Sequence, residues 1–565
     1  MNQLIECVPN FSEGNDMEII RQIVDAIKTV KDIKVIGVDP GKATNRTVVT
    51  FVGEPESVCE AAFRAVKKAS EVIDMSRHKG EHPRFGATDV LPLIPIKNIS
   101  MDEVILYAHK LGKRIGEELG IPGYFYEFAC IEERRRNLAT CRSGEYEGLS
   151  QKLTNSLWRP DFGPDKFTET VKRTGAIALG ARNILIAYNV NLNTTSTRWA
   201  NAIAFDIREK GRIKREGNPL TGAAVKDADG NTLYTPGLLK GVKGIGWYIE
   251  EYGIAQLSFN LTDTTATSLH QLFETACERA AARGIRVTGS ELVGCIPLQT
   301  LLDAGKYFLR KQHCSTGISN DKILNIAIKS LGLDELAPFE PKKKIIEYLI
   351  EDDSEKRLID ITLKGFIQEV AFGSFAPGGG SVAAAMGAMG AALGTMAANL
   401  SAHKKGWENR WEEFSEWAEK GKSLQEKLLL LIDEDTRSFN HIITTLRLHR
   451  KSTEEEEKSI QKEKVQAAIK YTMEISLQMM QIAFDTLEII EKMIETGNPN
   501  SAADAGVGAL AIRSAIFGAG LNIETNGAAL DDRKFVAEMV SKVQLMKKKT
   551  NEKEKNILEK IKRKI

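Results

Sequence analysis

No cysteine follows Cys314 in this 565-residue chain, and the seven that precede it (Cys7, Cys59, Cys130, Cys141, Cys277, Cys295 and Cys314) form no CxxC pair. An odd count without paired spacing argues against a disulfide framework and a zinc site, and for reduced thiols in a cytoplasmic setting. Their confinement to the first part hints at two halves of separate origin. Net charge is also nearly missing, at +1. That balance gives no ground for nucleic acid or an anionic membrane as main partner. The N-terminus lacks a charged segment followed by a long apolar run, so no signal peptide is expected. No Lys follows Ala376 to Ser381 in a GK[ST] arrangement, no HExxH occurs, and the glycine cluster at 241–246 matches no dinucleotide fingerprint. Gly241-Val242-Lys243-Gly244-Ile245-Gly246 has GxxGxG order before a strand-like Trp247-Tyr248, and His403, His441 and His449 read as non-ligands. The one candidate membrane span, Ser374 to Leu400, is built from Ala, Gly and Met rather than Leu, Ile and Phe. It reads as a tightly packed soluble helix.

What is present is an ordinary globular composition, 42% hydrophobic and 27% charged, at a length that suggests about three to four domains. Up to about residue 325, strand-like and helix-like runs alternate. Strands are expected at Leu4–Val8, Ile33–Val38, Thr47–Val52, Leu91–Ile96 and Tyr124–Ala129. Helices are expected at Asp16–Val30, Pro55–Ile73 and Met101–Leu119, the last stopping at Gly120 with Pro122 beyond. Trp158 to Pro164, with two prolines and a glycine, reads as an extended connector. A second α/β unit follows, with strands at Ile184–Val190 and Gly253–Asn260. Its helices are expected at Ala200–Gly211 and Thr265–Gly284. Arg215 to Gly237 reads as a surface excursion turning at Asp229-Gly230-Asn231. After a linker at Ala337–Pro341, strand signals nearly vanish. Long helical patterns cover Leu358–Ala371, Ser381–Ala402, Asn409–Leu448, Glu454–Glu495, Ser501–Gly520 and Asp531–Lys564, which predicts an all-α bundle.

Three stretches could carry chemistry. Asp74 to Asp89 packs His78, His82, Arg77, Lys79, Arg84 and three carboxylates into a segment that Gly80, Pro83 and Gly86 keep irregular. Either imidazole, pushed toward neutrality by cations, could act as a base; the plainer reading is a charged surface turn. In the helical half, Leu424, Leu428, Leu431, Ile432, Phe439, Ile442 and Ile443 define one apolar face, and Asp435 continues it. A carboxylate on a buried face is costly unless paired or protonated, and partial burial suits it to proton transfer. The structural alternative pairs it with Arg513. Asp433 is expected to point to solvent. Finally, Ala376-Pro377-Gly378-Gly379-Gly380-Ser381 opens a small-residue helix. Its free amides could receive a carboxylate, or its glycines, with Gly387, Gly390 and Gly394, could serve close helix packing.

Taken together, Glu6 to Gly14, Thr44-Asn45-Arg46-Thr47, Asp74 to Arg84 and Pro160 to Pro164 resemble glutamate formimidoyltransferases. Gly244 to Tyr248 resembles the second subdomain of that family. Ala376 to Ala385 resembles formimidoyltetrahydrofolate cyclodeaminases. The whole chain is similar to the bifunctional formiminotransferase-cyclodeaminase family. The resemblance implies two α/β subdomains (1–180 and 181–326), a linker (327–344) and an all-α cyclodeaminase domain (345–565). It implies two linked steps of histidine degradation: formimino transfer from N-formimino-L-glutamate to N5 of tetrahydrofolate, then closure to 5,10-methenyltetrahydrofolate with loss of ammonia. The family's transferase base falls on His82, with His78 the second choice, and its cyclodeaminase acid/base falls on Asp435. Its folate-contacting stretch falls on Gly163, Pro164, Asp165, Lys166, Phe167, Thr168, Glu169, Thr170, Val171 and Lys172. Arg46, Arg77, Lys79 and Arg84 are candidate partners for the substrate carboxylates. Tetrahydrofolate, polyglutamylated, would be a co-substrate. No metal, nucleic acid or membrane is implied, and the family forms ring-like homo-oligomers. Arg215 to Gly237 reads as an insertion relative to the animal members. The rival readings are a monofunctional transferase fused to a non-catalytic helical assembly domain, and a folate-binding regulatory protein without turnover.

Overall fold

The computed structural model describes residues 3–41, 45–79, 84–217, 222–228, 230–350, 357–452 and 455–564, with backbone only at 455. Expectations that fall on Thr44, Gly80, Glu81, His82, Pro83 and Asp229 lie outside the described residues. The chain divides into two compact units, residues 1–301 with 331–351, and residues 302–330 with 352–565.

The first unit holds two α/β subdomains. Strands β1 (Leu4–Cys7), β2 (Asn10–Phe11), β3 (Ile33–Gly41), β4 (Arg46–Gly53), β5 (Thr88–Lys97), β6 (Gly123–Glu127) and β7 (Ile177–Ala181) form one mixed sheet. β1 and β2 share a single place between β4 and β5, interrupted at Val8-Pro9, because proline cannot donate to the ladder. β7 pairs in parallel with β5 and β6. The helices Met17–Lys28, Pro55–Val72 and Met101–Leu119 contribute Ile23, Val58 and Leu111 to one core with Ile5, Phe51 and Leu93 of the sheet. Met101–Leu119 has the bounds its pattern predicts: Ser100 and Glu103 form a capping box, and Gly120 ends it at φ +63°.

Trp158 to Pro164 does not separate the subdomains. It folds back on the first, Phe162 bridging Gly123 and Asp161 accepting the Phe125 amide at 2.8 Å. β7 follows it and occupies an interior place in the sheet. That strand was not legible in the sequence because Ile177-Ala178-Leu179-Gly180-Ala181 has little side-chain bulk. Gly180 is required where the Tyr126 ring covers the backbone, since an added Cβ would lie 2.5 Å from Cε1.

The second subdomain is an antiparallel sheet, ordered β11-β12-β8-β13, of β8 (Ile186–Leu192), β11 (Val242–Ile249), β12 (Ile254–Leu261) and β13 (Val287–Val293). β9 (Arg212–Ile213) and β10 (Tyr234–Thr235) close the surface excursion as a hairpin, with Gly230 at φ +84° near its tip. The Gly244-Ile245-Gly246 run lies within β11. At Gly246 the Thr197–Ile207 helix crosses so closely that a Cβ would meet the Ala200 carbonyl carbon at 2.3 Å.

The second unit is helical. Its long helices are Gly379–Ala402, Trp411–Lys451, Glu455–Thr496, Ala502–Ala528 and Arg533–Lys562. Gly379–Ala402 and Pro499–Ala528 are long and apolar enough by length and composition to cross a bilayer. Two thirds of the most apolar window of the first is nevertheless buried within the bundle. The small residues serve close packing: a Cβ on Gly390 would lie 2.8 Å from the Gly508 carbonyl oxygen.

Candidate active sites

In the first unit, segments far apart in sequence converge at the ends of β2, β4 and β5. Asn45, in left-handed backbone at φ +47°, is the hub. Its side-chain oxygen accepts the Gly14 amide at 2.9 Å and its NH2 donates to the Lys79 carbonyl at 2.8 Å. The Ser12 hydroxyl donates to the Gly86 carbonyl at 2.8 Å, and the Thr47 hydroxyl to the Glu13 carbonyl.

Asp89, fully buried, accepts from Arg46, from Arg142 at 2.8 Å and from the Phe85 amide at 2.9 Å. It lies inside β5 rather than in the preceding loop, because these donors satisfy it there. Arg46 also donates to Asn10 at 3.1 Å. Arg84 pairs with Glu147. Arg77 and Lys79 are exposed, Arg77 lying 3.7 Å from Asp74. Of the four cations proposed for substrate carboxylates, Arg46 and Arg84 are thus held in close ion pairs, Arg77 makes a loose exposed pair with Asp74, and Lys79 faces solvent. Asn45 stood in a recognised motif, whereas Arg142 and Glu147 carried no sequence signal.

The geometry fixes the state of His78. Arg84 Nε donates to its Nδ1 at 3.1 Å, and its Nε2 lies 3.1 Å from the Asn45 carbonyl. A guanidinium only donates and a carbonyl only accepts, so the ring is the neutral Nε2–H tautomer. Burial lowers its pKa and the Arg84 charge adds to that. With both nitrogens occupied, His78 has no lone pair left for a reacting proton. It instead ties Arg84 to Asn45 across the segment that precedes β5.

The stretch from Gly163 to Lys172 runs along the C-terminal end of the Met101–Leu119 helix. Gly163 has φ +76°, and a Cβ there would meet the Ile121 carbonyl oxygen at 2.3 Å. Gly163, Pro164, Thr168 and Thr170 join Gly116 and Gly120 around an open concavity of about 540 Å³. Thr168 caps the Glu169–Thr174 helix. Asp165 pairs with Arg159 at 3.4 Å and Lys172 with Glu169 at 3.5 Å, while Lys166 and Phe167 are exposed and Val171 is buried.

In the helical unit, the two features singled out separately by sequence meet. Asp435 is 7% exposed. The Ser381 hydroxyl donates to its Oδ2 at 2.9 Å across 54 residues, and the Ser381 amide donates to it as well. The Thr436 hydroxyl lies 2.9 Å from Ser381 Oγ and completes a chain of hydroxyls ending on the carboxylate. Gly380 makes room, since a Cβ there would lie 2.0 Å from Asp435 Oδ1. Burial raises the Asp435 pKa, and the Ser381 hydrogen bonds offset this in part. Arg513 is not its partner: it pairs with Glu554 at 3.1 Å. Asp433 does not face solvent either. It is 8% exposed and accepts the Leu358 amide at 2.6 Å, because a segment outside its own helix covers that side. Among the described residues, no group of His, Cys, Asp and Glu could hold a metal ion.

Residues 4–182 match the family described as the formiminotransferase domain, N-terminal subdomain; residues 187–351 match the formiminotransferase domain; residues 362–545 match formiminotransferase-cyclodeaminase. The chain is similar to the formimidoyltransferase-cyclodeaminase of Gallus gallus, at 39% identity over 95% of each chain. It is similar to that of Dictyostelium discoideum at 37% identity over 99% of each. The glutamate formimidoyltransferase of Thermoplasma acidophilum is 39% identical over 54% of this chain and 92% of its own length.

Proposed function

This chain belongs to the formimidoyltransferase-cyclodeaminase family, and from that premise we propose which residues carry each of its two activities. The enzyme moves the formimino group of N-formimino-L-glutamate to N5 of tetrahydrofolate, then converts 5-formiminotetrahydrofolate to 5,10-methenyltetrahydrofolate and ammonia. Transfer belongs to residues 1–326 and cyclodeamination to residues 345–565. In transfer, the N5 lone pair attacks the formimino carbon, His82 takes the N5 proton and returns it to the glutamate nitrogen, and the bond from that nitrogen to the formimino carbon breaks. His78 and Arg84, which bracket His82 in the sequence, are held to one another and to Asn45 as a clamp, and His78 has no free lone pair; this supports the assignment. Gly163 to Lys172 contacts folate, and Arg77 and Lys79, exposed beside the clamp, meet the substrate carboxylates with Arg46 and Arg84.

In cyclisation, N10 attacks the amidine carbon and the departing nitrogen leaves protonated. Asp435 takes the proton that N10 loses and passes it to that nitrogen, so the carboxyl is restored at each turnover. The observation that carries this reading is the meeting of Asp435 with Ser381 at a helix N-terminus. A buried carboxylate with a raised pKa, bonded to one hydroxyl and one amide, is suited to hold and return a proton. That contact favours the bifunctional reading over a non-catalytic assembly domain. We also assign the chain to the cytoplasm and to a ring-like homo-oligomer, with polyglutamylated tetrahydrofolate as co-substrate.

The test is to incubate the wild-type chain with formiminoglutamate and tetrahydrofolate. Methenyltetrahydrofolate absorbance together with ammonia release is expected. Accumulation of 5-formiminotetrahydrofolate without ammonia would support the monofunctional rival.

A further inference from the structure

One face of the second sheet is polar where a sheet face would ordinarily be apolar. Residues alternate between faces, and Gly246 of β11 faces the helix, so Ile245 and Trp247 face the other way. The register places Trp247, Gln256 and Asn191 in one row across the strands, and Ile245, Ser258, Asn189 and Glu291 in the next. Gln256 and Asn191 are wholly buried and Asn189 is 5% exposed. Trp247 Nε1 donates to Gln256 at 3.2 Å, and Gln256 donates to Asn191 at 2.8 Å.

The first row ends on Glu335, to which Asn191 donates at 2.6 Å, and the second row gathers donors on Glu291. Asn189 donates to Glu291 Oε2 at 3.2 Å, Gln256 at 3.4 Å, and the Tyr252 hydroxyl also bonds its carboxyl. The Glu291 charge is the main cause that raises the Tyr252 pKa. All three donors are neutral, so they orient the carboxylate without cancelling its charge. Glu291 is partly open to solvent. Its flanks are apolar and accessible: Trp247 is 39% exposed, and Ile245 and Val293 are each 50% exposed. An oriented carboxylate beside an exposed indole suits a flat heterocycle that presents two adjacent N–H donors, one for each oxygen.

We propose that Glu291, on the open face of the second sheet beside Trp247, recognises the 2-amino-4-oxopyrimidine edge of the folate pterin ring through its N3–H and 2-amino donors. The inference rests on tetrahydrofolate being the co-substrate of this unit, and adds ring recognition to the contacts proposed for Gly163 to Lys172. A protonated formimino group presents the same donor pair. It has a single carbon, however, and could not cover the apolar flanks, so the ring is the better fit.

The test is steady-state formimino transfer by the full-length chain, varying each substrate in turn, with cyclodeamination of supplied 5-formiminotetrahydrofolate as a control in the other unit. Glu291→Gln keeps the shape and removes the charge. Loss of a charge-assisted pair is expected to raise the KM for tetrahydrofolate about tenfold or more, leaving the KM for formiminoglutamate within about twofold. Val293→Arg, at an exposed position two residues along the same strand, places a guanidinium beside Glu291 and is expected to raise the same KM. Unchanged KM values in both variants would overturn the proposal, as would a rise confined to formiminoglutamate. If Glu291→Gln fails to fold, Val293→Arg alone decides. A wild-type chain that transfers nothing would instead fail the functional reading on which the inference rests.

Discussion

The two candidate sites have opposite electrostatic surroundings. The site of the first unit is crowded: Arg46, Arg142 and Asp89 form one buried ion cluster, and Arg84 pairs with the exposed Glu147 beside it. His78 is held neutral by burial first and by the Arg84 charge second. The site of the helical unit is sparse: Asp435 has one hydroxyl and one backbone amide, and burial alone raises its pKa. Removing a group from the crowded site disturbs several ion pairs at once. Removing one from the sparse site disturbs a single proton position.

The largest effects should separate the sites completely. Asp435→Asn is expected to lower cyclodeamination by about 10²–10⁴-fold with formimino transfer intact, and His82→Ala to do the reverse. Each activity is assayed with its own supplied substrate. If either folded variant loses both activities, the comparison between two independent sites breaks.

Gly380→Ala comes next. Its Cβ would lie 2.0 Å from Asp435 Oδ1, so the carboxylate must move. A displacement on the order of 1 Å is expected to cost about 100-fold in cyclodeamination and nothing in transfer. Normal cyclodeamination by this variant would show that the position of Asp435 is not critical.

In the crowded site, His78→Ala should lower transfer by about 10- to 100-fold. His78→Asn, whose Oδ1 can still accept from Arg84, should be milder. Because the pKa of His78 is lowered, its clamp is intact at neutral pH and is lost as pH falls through that lowered value. The acid limb of the wild-type transfer profile should therefore change shape in His78→Asn while that of cyclodeamination does not.

The smallest effect is on stability. The Asp435 pKa is raised in the folded state, so its contribution is fully favourable below the unfolded carboxylate value of about 3.9 and is lost as pH rises through the folded value. Asp435→Asn should thus raise Tm slightly at pH 7, with a difference that shrinks in acid. A thermal melt at two pH values measures this, and a lower Tm at pH 7 would show that the Ser381 hydrogen bonds outweigh burial.

Much of this was legible in one dimension. The Met101–Leu119 helix could be read to its ends because its cap and stop are local signals, Ser100, Glu103 and Gly120. The long helices of the second unit followed from period alone. β7 and β13 were not legible, because one is built from small residues and the other, Val287 to Val293, carries Thr, Gly, Ser and Glu. Trp158 to Pro164 read as a connector because proline and glycine mark irregular backbone without saying where it packs. Arg142 and Glu147 gave no signal because an ion pair depends on where two distant segments arrive.

Asp435 shows where the division lies. The spacing of Leu428, Leu431 and Ile442 was enough to turn its side chain inward, because a helix fixes the direction of each residue about its own axis. The same spacing sent Asp433 outward, and that failed, because what covers the other side of a helix is not written in that helix. That Asp435 meets Ser381 rather than Arg513 was decided by tertiary structure alone. A contact across 54 residues depends on which helix end packs there, and Gly380 is what lets it come close enough.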